Sequence, residues 1–181
     1  MTQIDKLNQL LKSDKKLFHT QDLALLWSSE NRNTLYTTIK RYLKKGVLIK
    51  ISKGLYSTVP IDSLNIYELG TSLIHRFCYV SCEMVLEKEG IISQKVYPIT
   101  FVSSVSQKIE FKEQSFVYRQ LQDQFLHNPD GVERKNGYFI ATKERAVADM
   151  LYFNTKYYFD NPSLVDWKKV VRIQKTVGYK K

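Results

Sequence analysis

Apolar residues recur at three- and four-residue spacing at Ile4, Leu7, Leu10 and Leu11, which predicts a first helix with these four on one face and an end near Ser13-Asp14. Phe18 leads into Thr20, an expected N-cap, and Gln21 and Asp22 suit the positive end of a helix dipole. A short second helix then runs through Leu23-Ala24-Leu25-Leu26-Trp27. The polar cluster Ser28-Ser29-Glu30-Asn31 breaks the apolar run and supplies the next N-cap.

The third helix, expected from about Asn31 to Lys45, separates two kinds of side chain. At about 100° per residue, Leu35, Thr38, Ile39 and Tyr42 fall on one side with Leu43 at the edge, and Asn33, Tyr36, Thr37, Lys40 and Lys44 on the other. Gly46 stops the helix where a left-handed conformation costs glycine least. Val47-Leu48-Ile49-Lys50-Ile51, Ser52-Lys53-Gly54 and Leu55-Tyr56-Ser57 then form a hairpin with Lys53 at its tip. Helix, helix, helix and basic hairpin is the order of a winged helix-turn-helix.

Past Val59-Pro60-Ile61-Asp62 the pattern changes. A helix is expected from about Leu64 to Arg76, a buried strand at Tyr79-Val80, and a helix from Glu83 to Glu89 capped by Ser81 and ended by Gly90. Three β segments follow, at 97–102, 108–112 and 116–119. Asn136-Gly137 marks a two-residue type I′ hairpin turn. Thr142 caps a helix with Ala146, Val147, Met150, Leu151 and Asn154 on one face, and Asn161-Pro162 opens a last helix carrying Leu164, Val165, Trp167, Val170 and Val171. The expected fold is α+β: a winged helix-turn-helix at residues 1–59, then a mixed α/β domain at 60–181 with a basic C-terminal helix and tail.

Charge sharpens this division. The chain of 181 residues carries a net charge of +10, with +7 in residues 1–60, −3 in 61–167 and +6 in 168–181. Clustering of this kind is what a polyanionic partner requires, whereas an ordinary solvated surface mixes its charges. Asn and Lys can address base edges, and Tyr and Thr can contact bases or phosphates. The positions expected to read duplex DNA are therefore Asn33, Tyr36, Thr37, Lys40 and Lys44. Arg32, Arg41, Lys50 and Lys53 are expected on phosphates, and Lys168, Lys169, Arg172 and Lys175 are further candidates by charge. With no signal-peptide-type run, no stretch near the ~18 apolar residues of a membrane span and two cysteines, a soluble cytoplasmic protein is expected.

Catalytic chemistry is sparse. His19, His75 and His127 are scattered, and there is no G-x-S-x-G or Walker-type loop. His75, Cys78 and Cys82 lack a fourth metal ligand, so the cysteines read as buried and inert. Glu110-Phe111-Lys112 has the E-x-K form of many metal-dependent nucleases, without a Pro-Asp element on a preceding strand. Neither an enzyme nor a cofactor is expected.

Four stretches, taken in order, resemble the AbiEi family of antitoxin regulators from type IV abortive-infection toxin–antitoxin systems. They are Phe18-His19-Thr20-Gln21-Asp22-Leu23; Leu43-Lys44-Lys45-Gly46-Val47-Leu48 through Lys53-Gly54-Leu55-Tyr56; Tyr79-Val80-Ser81-Cys82-Glu83-Met84-Val85-Leu86 followed by Gly90-Ile91-Ile92; and Phe139-Ile140-Ala141-Thr142-Lys143-Glu144-Arg145-Ala146-Val147-Ala148-Asp149. The resemblance implies a repressor that binds repeats in the promoter of its own operon. It also implies a C-terminal domain that counters a nucleotidyltransferase toxin encoded beside it, and it leaves the antitoxic surface unplaced. The rival expectation is a regulator whose α/β domain senses a small molecule.

Overall fold

The computed structural model describes residues 3–179 and is mixed α and β. It divides into two compact units, one ending at Ile74 and the other beginning at His75. Among the described residues no helix is long and apolar enough to cross a membrane.

The first unit contains α1 (Gln3–Lys12), β1 (Leu17–His19), α2 (Thr20–Leu26), α3 (Arg32–Lys44), β2 (Ile49–Ser52), β3 (Leu55–Ser57) and α4 (Ile66–Leu73). Its core joins Leu10, Phe18, Leu23, Trp27, Leu35, Ile39, Tyr42, Leu48 and Tyr56. Trp27 meets Tyr42 edge-on at 5.5 Å, and its indole N–H donates to the Lys6 carbonyl at 3.2 Å, so the aromatic buries its surface without stranding its donor. Only part of the expected α1 stripe is used. Leu10 is buried, while Ile4 and Leu11 are 72% and 73% exposed because the packing axis runs through Leu10 and Lys6.

A three-stranded antiparallel sheet, in the order β1-β3-β2, closes this unit. β1 was not anticipated. Leu17-Phe18-His19 is too short to show an alternation, and its partner Leu55-Tyr56-Ser57 lies far along the chain. The N-cap of α2 is accordingly His19 rather than Thr20, with the His19 backbone N–H donating to the Asp22 carboxylate at 2.7 Å. The unit also extends beyond the composition change at 59/60. α4 packs against β1, and Glu68 accepts from the backbone N–H of Lys16, so the segment after Pro60 belongs to the first unit.

The second unit contains β4 (Cys78–Val80), α5 (Glu83–Lys88), β5 (Ile99–Ser103), β6 (Gln107–Phe111), β7 (Gln114–Gln120), α6 (Asp123–Leu126), β8 (Val132–Lys135), β9 (Tyr138–Ala141), α7 (Lys143–Phe153) and α8 (Trp167–Val177). Its six strands run β6-β7-β5-β4-β9-β8, with β5/β7 and β4/β9 parallel and the other neighbours antiparallel. β4 and β5 are buried along their whole length, while the edge strands β6 and β8 carry Lys108, Glu110, Glu133, Arg134 and Lys135 into solvent. The β8–β9 turn has positive φ at both Asn136 (43°) and Gly137 (91°), the type I′ geometry that this dipeptide prefers.

α7 departs from its expected single apolar face. It packs between α5 and α8, so Glu144 through Met150 are all buried, and Arg145 and Asp149 form a fully enclosed ion pair at 2.8 Å. The last helix also differs from expectation. A 3₁₀ turn at Pro162–Leu164 precedes α8, whose N-cap is Asp166 and whose buried residues are Val170, Ile173 and Val177. Leu164, Trp167 and Val171 remain 48%, 41% and 49% exposed.

Candidate nucleic-acid interface

α3 is fixed at both ends by local chemistry. The Asn31 side chain accepts from the Thr34 N–H at 3.2 Å, satisfying one of the free donors of the first turn. At the other end Gly46, at φ 70°, lets its own N–H reach the Leu43 carbonyl and the Val47 N–H reach that of Tyr42. Leu35, Thr38, Ile39 and Tyr42 are buried, and the Thr38 hydroxyl donates back to the Thr34 carbonyl at 2.9 Å. The opposite side presents Arg32, Asn33, Tyr36, Thr37, Lys40, Arg41 and Lys44, all exposed, with Tyr36 at 53%.

The β2–β3 hairpin lies beyond α3 in the chain. The pairing of Lys50 with Tyr56 shifts to Ser52 with Leu55, so Ile51 is an extra residue turned into the core while Lys50 and Lys53 stay exposed. Gly54, at φ 77°, makes the tip. Its carbonyl accepts from the Thr20 N–H at 2.9 Å and from the Thr20 hydroxyl at 3.3 Å, which ties the tip to the start of α2. This tether is a positioning feature that the sequence did not reveal.

Electrostatically the surface is open. Between Asn31 and Ile61 the chain has seven Lys/Arg and no Asp/Glu. One ion pair in this unit joins Lys15 to Asp22 at 2.8 Å. Burial opposes ionisation of Asp22, but the Lys15 ammonium and the His19 N–H prevail and hold its carboxyl below its ordinary range.

The C-terminal cations are arranged differently. Lys168 and Lys175 are exposed on α8. Lys169 pairs with the buried Glu144 at 3.1 Å, and Arg172 reaches Asp130 at 3.6 Å. Half of this expected set therefore serves the second unit itself, while Lys180 and Lys181 lie outside the described residues.

The remaining candidate chemistry does not converge. Cys78 and Cys82 are buried, and burial pushes the Cys78 thiol up to about 12. His75 is exposed, and the described residues include no cluster of three His, Cys, Asp or Glu side chains suited to a metal. Glu110 lies on an edge strand, paired with Lys108 at 2.8 Å and accepting from the Ser115 hydroxyl at 3.0 Å. No family model and no curated protein matches the chain.

Proposed function

We propose that this chain is a DNA-binding transcriptional regulator whose first unit works as a winged helix-turn-helix. In this reading α3 is the recognition helix and β2–β3 the wing. The observation that carries it is the coincidence, on one acid-free segment, of the outward side of α3 with the hairpin tip. A helix of this width fits the major groove, where Asn33, Tyr36, Thr37, Lys40 and Lys44 would meet base edges. Arg32, Arg41, Lys50 and Lys53 would neutralise flanking phosphates.

The resemblance in the four quoted stretches supports a finer version. The chain would repress its own operon through promoter repeats and act, without catalysis of its own, as antitoxin to a neighbouring nucleotidyltransferase. The six cations of the interface, Arg32, Lys40, Arg41, Lys44, Lys50 and Lys53, predict counterion release, with log K falling against log salt at a slope of about −5. Titration of the full chain on duplex from its own upstream region tests this, and a flat salt response would overturn it. Co-expression with the adjacent toxin tests the antitoxin role. Protection should survive Lys40→Ala/Lys53→Ala, because that surface serves DNA alone.

A regulator whose second unit senses a small molecule is the other reading. A cavity beside Glu83 favours it. A metabolic operon next door, in place of a nucleotidyltransferase, would decide for it.

A further inference from the structure

The outward side of α8 carries groups that the second unit does not use. Val170, Ile173 and Val177 are buried, so the helix turns its other side to solvent. At 100° per residue Lys168 and Lys175 form the crest of that side, with Arg172 on one flank and Trp167 and Val171 on the other. All five are exposed, as is Leu164 in the turn just before. A helix that only closed a core would keep its aromatic and aliphatic residues on the buried side.

The aromatic flank is fixed in place. The Trp167 indole N–H donates to the Pro162 carbonyl at 3.0 Å, and its ring meets Phe159 edge-on at 5.9 Å. The segment beside it is anchored in turn. The Asn161 side chain donates to the Gly90 carbonyl at 2.7 Å, and the Asp160 carboxylate accepts from the Ser93 N–H at 2.7 Å. Tyr158, one residue before Phe159, is 77% exposed. Two aromatic side chains therefore stand in solvent on backbone that needs no ordering when a ligand arrives. With its one donor satisfied, Trp167 has only its apolar ring to offer.

Charge narrows the choice of ligand. Residues 168–181 hold six basic side chains and no acid. The carboxylates nearest in sequence are engaged, Asp160 as above and Asp166 with the Lys169 N–H at 3.1 Å. The row from Lys168 to Lys175 is about 10 Å long, which matches three stacked nucleotides at about 3.4 Å each. A duplex would satisfy these cations but keep its base faces inside the stack, leaving the rings idle. An anionic membrane would meet the lysine crest first and hold the apolar flank away from its interior. An acidic peptide would supply the charge without a planar face for each ring. A single strand offers phosphates and open base faces together, the two features that this surface presents for.

We propose that this face is a second nucleic-acid site, for single-stranded RNA or DNA, with Lys168, Arg172 and Lys175 on its phosphates and bases stacked on Trp167 and Tyr158. It uses none of the residues of α3 or the β2–β3 hairpin and does not rest on the duplex-binding reading. Trp27, the other tryptophan, is buried, so quenching of the full chain's tryptophan fluorescence reports contact at Trp167. At least one of oligo-dT and oligo-rU, each of about twelve nucleotides, should quench it with a Kd on the order of 1 to 100 µM at low salt. Three phosphate contacts on a single strand predict a slope of log K against log salt of about −2. Lys40→Ala/Lys53→Ala should leave both values unchanged.

Lys168→Ala/Lys175→Ala should weaken the quench roughly tenfold and bring the slope to about −1. By anisotropy of a labelled oligonucleotide, Tyr158→Ala and Trp167→Ala should each cost about fivefold or more. If Trp167→Ala fails to fold, Tyr158→Ala and the lysine pair still decide. Absence of quenching below about 1 mM oligonucleotide, or unchanged affinity in the lysine pair or in both aromatic variants, would overturn the assignment. So would equal quenching of Lys40→Ala/Lys53→Ala by an unrelated duplex, by polyglutamate or by phosphatidylglycerol vesicles, which would give the face to a duplex, an acidic protein or a membrane.

Discussion

The backbone N–H of Thr20 donates to the carbonyl of Gly54 at 2.9 Å, joining the first residue of α2 to the hairpin tip 34 residues later. The tip is thus held by the helical part of the unit as well as by its own strands. Gly54 takes φ 77°, and a Cβ there would lie 3.4 Å from the Thr20 hydroxyl, close but tolerable. The cost of Gly54→Ala therefore comes from the left-handed backbone, about 1 kcal/mol. Urea denaturation should show that loss, with Gly54→Asn intermediate because asparagine enters this region more readily. Equal stability of the parent and Gly54→Ala would show that the tip relaxes freely.

Asp22 makes the same unit sensitive to acid. Its carboxyl is partly buried, which raises its pKa, but Lys15 and the His19 N–H lower it by more, so the folded value lies below the unfolded one. A group of this kind stabilises the fold above its unfolded pKa, and the contribution disappears as pH falls through the folded value. Asp22→Asn should therefore be less stable than the parent at neutral pH, and the two should converge below the ordinary carboxylate range. Denaturation midpoints across that range check the sign. A gap that widens toward acid would contradict it.

How much of this was legible in the sequence depends on whether a signal was local. The burial of Leu35, Thr38, Ile39 and Tyr42 follows from one amphipathic period, and the caps at Asn31 and Thr142 from a polar side chain just ahead of the helix. Asn136-Gly137 fixed its turn because few dipeptides tolerate two positive φ values in succession. β1 was not readable, since three residues cannot show a period. The Glu83–Arg119 pair was hidden too: the partners are 36 residues apart, and nothing near either one announces the other. In α7 the i,i+4 spacing of Arg145 and Asp149 was visible, but their enclosure depends on α5 and α8 packing on either side.

The proposed interface makes a prediction in which two kinds of substitution behave differently. Lys40→Ala and Lys53→Ala should weaken binding to specific and random duplexes alike and reduce the salt slope by about 1 each. Asn33→Ala and Tyr36→Ala should instead cost about 1 to 3 kcal/mol on the preferred sequence and little on random DNA. On α8 the contrast is with stability. Lys169→Met leaves the buried Glu144 without its closer cation and should destabilise the second unit, while Lys168→Ala and Lys175→Ala should leave its stability unchanged. Mobility shifts and urea melts on the same variants separate the two effects.

The strongest structural prediction concerns the pair at the centre of the second unit. The Arg145 guanidinium donates to Asp149, to the Tyr79 hydroxyl and to the carbonyls of Phe125, Asn128 and Asp130. Asp149 also accepts from the Tyr79 and Ser81 hydroxyls at 3.0 and 2.7 Å. Both charges are fully enclosed, so removing either one strands the other in a medium that solvates it poorly. Arg145→Met or Asp149→Leu alone should cost about 3 to 5 kcal/mol. The double variant strands no charge, only hydroxyls and carbonyls, whose penalties are smaller. It should therefore be more stable than the sum of the single losses by about 2 kcal/mol. Simple additivity in urea denaturation would mean that the two side chains act independently, and the enclosed network would then not be the element that fixes α7 against the sheet.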